Sequence, residues 1–208
     1  MIGWDAIVGE KWVMAILRGL TPEPAVAIAE ELWTGGIELI EVTIGDPRDS
    51  AVLRAVTAAA AADGRPVGAG TVTTVEQVRA AADGGALFTV APGLDLSVVE
   101  ASVAAGMPHL PGVATGTEVQ RAVGAGCTWL KVFPAVSLGP DWFRAMRGPF
   151  PHVQFVATGG INADNAGDFL NAGARLVGVG LAIADAEQRA VFMHRTAGAP
   201  RRGNPDRP

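Results

Sequence analysis

The sequence predicts an α/β fold in which parallel strands close into a single-domain (β/α)₈ barrel of the TIM type, and three observations predict it. Short apolar runs alternate along the chain with alanine-rich amphipathic segments, the pattern of repeated βα units. Eight such runs are present, and eight strands with about as many helices close most economically as a barrel. The length of 208 residues suits one substantial domain, near the low end of the roughly 200 to 400 residues usual for the fold. A doubly wound open sheet would need a glycine-rich fingerprint after its first strand, and Arg18-Gly19-Leu20-Thr21 is not one.

In order, the predicted strands are Val13 to Leu17, Ile37 to Thr43, Val67 to Gly70, Leu87 to Val90, His109 to Pro111, Thr128 to Phe133, Val153 to Val156 and Leu176 to Val179. Between them, Pro24 to Trp33, Ser50 to Ala62, Glu76 to Ala82 and Thr117 to Val123 repeat small apolar residues and charges at helical spacing. Thr73 with Glu76 and Thr115 with Glu118 have capping-box spacing, and Pro22 and Pro140 suit a first helical turn. The barrel domain is expected to span residues 1–194. Residues 195–208, rich in Pro, Gly and Arg, read as a disordered tail.

Composition excludes several classes of function. A net charge of -5 leaves no basic footprint for nucleic acid. The longest stretch without Asp, Glu, Lys or Arg, Ala101 to Thr117, is interrupted by Pro108, His109 and Pro111 and does not read as a membrane span. The start lacks the basic and apolar regions of a signal peptide, and the single Cys127 cannot form an internal disulfide, so a cytoplasmic protein is expected. His109, His152, His194 and Cys127 show no metal-ligand spacing.

Barrel sites lie at the C-terminal ends of the strands, so the polar residues that close the apolar runs are the candidates. Arg18, Glu41-Val42-Thr43, Gly70-Thr71, Lys131 and Thr158-Gly159-Gly160 stand at such ends. Lys131 is one of only two lysines, and it lies inside what reads as a buried strand, Thr128-Trp129-Leu130-Lys131-Val132-Phe133-Pro134. Burial penalises the ammonium form, and a neutral amine at a strand end can attack a carbonyl to form a Schiff base. Pairing with a carboxylate or snorkelling to the surface is the structural reading of the same residue. Glu41 is the second anomaly, a carboxylate late in a strand covered on both faces. Its parity is opposite to that of Glu38, so only one of the two points inward. Facing Lys131 it is either a structural partner or a general acid/base, and with Tyr absent the proton-transfer candidates narrow to Glu41 and water. The glycine-rich turns after the last two strands, at Gly159-Gly160 and Gly178-Val179-Gly180-Leu181, stand where barrels often bind phosphate through backbone N–H groups.

From Val13 to Ala182 the chain resembles the class I aldolases that cleave 2-keto-3-deoxy-6-phosphogluconate (KDPG), grouped with the 4-hydroxy-2-oxoglutarate (KHG) aldolases. The segments that carry the resemblance are Ala15-Ile16-Leu17-Arg18-Gly19, Glu41-Val42-Thr43, Gly68-Ala69-Gly70-Thr71-Val72, Ala91-Pro92-Gly93, Pro111-Gly112-Val113, Leu130-Lys131-Val132-Phe133-Pro134, Gly148-Pro149-Phe150 and Thr158-Gly159-Gly160-Ile161. The resemblance implies that Lys131 forms the Schiff base and Glu41 shuttles protons. It implies that Arg18, Thr43, Thr71, Pro92, Phe133 and Thr158 hold a keto acid, and that Gly159, Gly160, Gly180 and Leu181 receive its phosphate. It further implies a homotrimer that needs neither metal nor cofactor, and five Trp in a chain with few aromatics offer anchors for an interface. KDPG is the substrate it points to first, with KHG and 2-keto-3-deoxy-6-phosphogalactonate (KDPGal) as alternatives and a non-catalytic keto-acid or phosphate-binding barrel as an alternative of another class. Two positions depart from the pattern: Gly45 stands where many members have a carboxylate-binding arginine, a task expected of Arg18 first and of Arg48 second, and Leu181 stands where many have a phosphate-binding serine.

Overall fold

The computed structural model describes residues 2–46 and 48–198. Its strands are β1 Val13–Leu17, β2 Leu39–Thr43, β3 Val67–Gly70, β4 Thr89–Val90, β5 His109–Leu110, β6 Gly112–Val113, β7 Trp129–Val132, β8 Gln154–Thr158 and β9 Leu176–Val179. All their pairings are parallel, in the order β5-β4-β3-β2-β1-β9-β8-β7-β6. The two ends of that order, β5 and β6, are halves of one run separated by Pro111 alone, so the sheet closes on itself through the chain. Pro111 has no N–H to give to the ladder and splits the expected fifth strand, while its carbonyl accepts from the Lys131 N–H at 2.9 Å. The fold is therefore the (β/α)₈ barrel, with nine strand segments in place of eight.

The helices are α1 Trp4–Val8, α2 Pro22–Thr34, α3 Asp49–Ala60, α4 Val75–Asp83, α5 Leu96–Ala104, α6 Gly116–Gly124, α7 Ala135–Leu138, α8 Pro140–Arg147, α9 Ala166–Asn171, α10 Leu181–Ala184 and α11 Ala186–Gly198. Pro22 and Pro140 each open a helix, and Thr115 with Glu118 forms a capping box at α6. At α4 the box is Thr74 with Gln77, one residue beyond the expected Thr73 and Glu76. Helix α11 runs through Arg195 to Gly198, four residues into the expected tail, whose remainder lies outside the described residues.

Side chains sort by strand parity. Val13, Ala15, Leu17, Ile40, Val42, Leu130, Val132, Ala157 and Val177 pack outward with the helices in one buried cluster. Met14, Ile16, Leu39, Phe88, Val90, Leu110, Trp129, Val156 and Leu176 fill the barrel interior, with Trp4, Ile7 and Val8 of α1 as a plug. Trp4 stacks 6.1 Å from Trp129, and its Nε1–H donates to the His109 carbonyl at 3.1 Å. Trp4, Trp33 and Trp129 are buried, and Trp12 and Trp142 pack partly buried against the same core. Three of the five tryptophans are thus spent on the chain's own interior, while Trp12 and Trp142 keep part of their surface exposed.

Candidate active site

The inward parity of β2 and β7 carries Glu41 and Lys131 into the barrel above the apolar fill. The Lys131 Nζ stands 4.0 Å from Glu41 Oε1, and the two side chains are 6% and 0% exposed. The same Nζ lies 5.4 Å from the centre of the Phe133 ring, a cation–π distance. Glu38, of the other parity, is exposed and pairs with Lys11 at 3.3 Å, so the second lysine is engaged outside this site.

Glu41 occupies space that β3 leaves free. The inward positions of β3 are Gly68 and Gly70, which lies beside Thr43 in the β2–β3 register, and a Cβ on Gly70 would collide with the Glu41 carboxyl group. A Cβ on Gly68 would likewise strike the Phe88 ring. Neither Glu41 carboxylate oxygen accepts a hydrogen bond from a protein group. A buried ion pair kept for structure needs close geometry and satisfied lone pairs to repay desolvation, and this pair has neither.

Lys131 of this pair opens onto a cavity of ≈ 350 Å³. Its polar lining is Arg18, Lys131 and Thr158 with the backbone of Gly159, Gly160 and Gly180. Its apolar lining includes Ile16, Leu20, Ile28, Phe133 and Leu181, and at 89% exposure Leu181 stands at the mouth. Leu20, Ile28, Ile161, Ile183 and Ala184 were not expected at the site; they are loop and helix residues that reach it by docking onto the strand ends, and no strand pattern marks them.

Of the residues singled out from sequence, Glu41, Thr43, Thr71 and Pro92 do not line this cavity, although Glu41 contacts Lys131 and Thr71 contacts Arg18, both of which do. Arg18 donates through Nη2 to Thr71 Oγ1 at 3.2 Å, joining β1 to the end of β3. Thr71 has φ 60, the only non-glycine residue with positive φ among those described, and such strain is tolerated only where the surroundings hold it. A Cβ on Gly45 would meet Thr71 Cγ2 at 3.2 Å, so the glycine leaves room for Thr71 where the pattern has an arginine. Arg48 instead pairs with Asp46, 2.8 Å from Nε to Oδ1, at the surface, and its guanidinium holds that carboxyl down at about 2. Gly112 pairs in register with Lys131, and a Cβ there would strike the backbone of Pro92 and Gly93, which sets Pro92 beside the strand that flanks the lysine. Thr158 is buried, with its hydroxyl 3.5 Å from the Val132 carbonyl.

The two glycine turns meet at the mouth. Gly159 and Gly160 have φ 93 and 80, and the Gly160 carbonyl accepts from Asn165 Nδ2 at 3.0 Å. Gly180 caps α10, which begins at Leu181. Cys127 lies away from the cavity lining, partly buried against the outer core, and burial pushes its thiol up. No group of three His, Cys, Asp or Glu among the described residues is placed to hold a metal ion.

The family model for KDPG and KHG aldolases matches residues 4–192. A probable KDPGal aldolase of Rhizobium meliloti is 35% identical over 190 residues, which is 88% of this chain and 89% of its own. A 2-dehydro-3-deoxy-phosphogluconate aldolase of Treponema pallidum is 39% identical over 149 residues, 71% of this chain and 70% of its own. Among solved structures, the KDPG aldolase of Legionella pneumophila, with pyruvate captured at low pH as a covalent carbinolamine, aligns at a TM-score of 0.79 with 31% identity and 92% of each chain covered.

Proposed function

The chain belongs to the KDPG and KHG aldolase family, and we propose that it is a Schiff-base lyase that cleaves KDPG to pyruvate and glyceraldehyde 3-phosphate. The observation that carries this reading is the buried pair, Lys131 Nζ 4.0 Å from a Glu41 carboxylate that has no other partner, with Lys131 lining a cavity of substrate size. A silent binding barrel would need the two groups to satisfy one another, and they do not.

In this reading the Lys131 Nζ attacks C2 of the keto acid, the C2 oxygen leaves as water and an iminium forms. Glu41 takes the proton of the C4 hydroxyl, the C3–C4 bond breaks, and its electrons enter the iminium to leave a neutral enamine in place of a carbanion. The aldehyde departs, and Glu41 returns the proton to C3. Water then hydrolyses the pyruvyl iminium and restores the amine. Arg18, held by Thr71, is the carboxylate anchor in the absence of an arginine at position 45, and Thr43, Pro92, Phe133 and Thr158 enclose the keto acid. The turns at Gly159, Gly160, Gly180 and Leu181 receive the far end. Reduction with borohydride in the presence of pyruvate tests the reading: it should add pyruvate covalently at Lys131, and Lys131→Ala should lose both labelling and cleavage. Labelling at Lys11 instead refutes the assignment.

Two observations favour a second reading within the same chemistry, cleavage of KDPGal or KHG. The Rhizobium relative spans most of the chain, and Leu181 brings no hydroxyl to the phosphate end. Comparing kcat/KM for the three acids decides between them. We further place the protein in the cytoplasm as a homotrimer; sedimentation as a monomer at micromolar concentration would overturn the assembly. None of the described helices is long and apolar enough to cross a membrane.

A further inference from the structure

The two glycine turns that face the aldehyde end are fixed only in part by their immediate neighbours: the Val136 N–H donates to the Gly159 carbonyl at 3.2 Å, and Phe133 and Val136 pack against Gly159 and Gly160. Gly159 and Gly160 carry no side chains, Gly180 has no side-chain cap to offer α10, and α10 is a single turn. Backbone donors can read a ligand only if their positions are held to a fraction of an ångström, so the rest of the hold has to come from elsewhere.

It comes from α11. Arg189, 9% exposed, donates through Nη1 to the carbonyls of Ile183 at 2.8 Å and Ala184 at 3.4 Å, the C-terminal end of α10. Its Nη2 pairs with Glu31 of α2 at 2.9 Å, and α2 also carries Ile28 into the cavity wall. One residue earlier, Gln188 Oε1 accepts from the Ala163 N–H at 2.9 Å. Two turns further along, Arg195 donates to the carbonyl of the same Ala163. Both backbone groups of Ala163, three residues past Gly160, are therefore gripped by α11, and Asn165, two residues further on, donates to the Gly160 carbonyl. The helix itself is fixed by Phe192, fully buried with its ring 6.1 Å from Trp12, and by Met193, which fills the space beside Gly35.

We propose that α11 positions the aldehyde end of the substrate, with Arg189, Gln188 and Arg195 as positioning residues that hold both glycine turns without touching the ligand. The proposal rests on the reading that those turns receive that end. Lys131 and Glu41, on β7 and β2, are not among the groups that α11 grips, so loosening the strap separates binding of the far end from imine formation.

The test uses the full chain, with KDPG for cleavage and pyruvate with borohydride for imine formation. Arg189→Met, which removes the contacts to Ile183, Ala184 and Glu31, should raise KM for KDPG about tenfold, as if the displaced turn lost one hydrogen bond to the ligand's charged end, while pyruvate is trapped at the wild-type rate. Arg189→Lys should recover part of that loss. If Arg189→Met does not fold, Gln188→Leu and Arg195→Gln carry the same expectation, since each removes a single bond to Ala163. Trapping and cleavage that fall together in these variants, or an unchanged KM in all of them, would overturn the proposal. A wild-type chain that traps no pyruvate would instead overturn the aldolase reading beneath it.

Discussion

The missing side chain of Gly70 is what seats Glu41: a Cβ at position 70 would overlap the carboxyl group, so two neighbouring strands share one side chain's volume. Gly70→Ala should therefore push the carboxylate from its place near Lys131 without altering any group that reacts. Removing a positioned acid/base costs roughly 10²- to 10⁴-fold, so kcat should fall within that range while the imine with pyruvate still forms. Wild-type turnover in Gly70→Ala would mean that the carboxylate has room to adjust, and that its present position is not required.

The strand ends that build this site were legible in the sequence because parity and burial leave few choices. β1, β3 and β9 have the predicted bounds, and Glu41, Lys131 and Thr158 stood out as polar residues in apolar runs. What escaped was decided by contacts between distant segments. Thr73 with Glu76 and Thr74 with Gln77 have the same spacing, and the second pair forms the box, with Gln77 Nε2 also reaching the Ile44 carbonyl at 3.4 Å. The plug α1 is five residues long, too short for a helical period to register. Arg189 and Arg195 look like surface charges, and only the docking of α11 on α10 and on Ala163 gives them a role.

His109 gives the fold one buried source of acid sensitivity. Ser102 Oγ donates to the Met107 carbonyl at 3.0 Å, so the Thr89 hydroxyl must donate to Ser102 at 2.5 Å and accept from His109 Nδ1–H at 2.7 Å. That order leaves Nε2 as the unprotonated nitrogen, buried with no partner, and desolvation lowers the imidazole's pKa from 6.5 to about 4. The unfolded chain then binds a proton below pH 6.5 that the folded chain refuses until about pH 4, so stability is full above that window and is lost as pH falls through it. Urea unfolding should show about 2 kcal/mol less stability at pH 5 than at pH 7 from this residue, and His109→Leu should flatten that difference. An equally steep loss in the variant would assign the effect to other groups.

Leu181 is where the chain departs from the serine common in its family, and the structure shows what that change can do. The side chain is 89% exposed at the first position of α10 and lines the cavity mouth, so its replacement removes almost no buried area and should leave folding stability within about 0.5 kcal/mol. Any effect on turnover then reports contact with the ligand. If a phosphate reaches this turn, its donors are the backbone N–H groups of Gly159, Gly160, Gly180 and Leu181, and a serine hydroxyl would add one more hydrogen bond to a charged group. Such a bond is worth roughly 1.5 to 3 kcal/mol, about ten- to a hundredfold in affinity. Leu181→Ser should accordingly raise kcat/KM for the six-carbon phosphorylated acid by that order and leave the five-carbon KHG little changed. The comparison is internal, because both acids share the pyruvyl half that the proposed function assigns to Lys131, Glu41 and Arg18. Equal effects on the two would mean that position 181 does not read the phosphate end, and the preference between phosphorylated and unphosphorylated acids would have to be sought elsewhere along the rim.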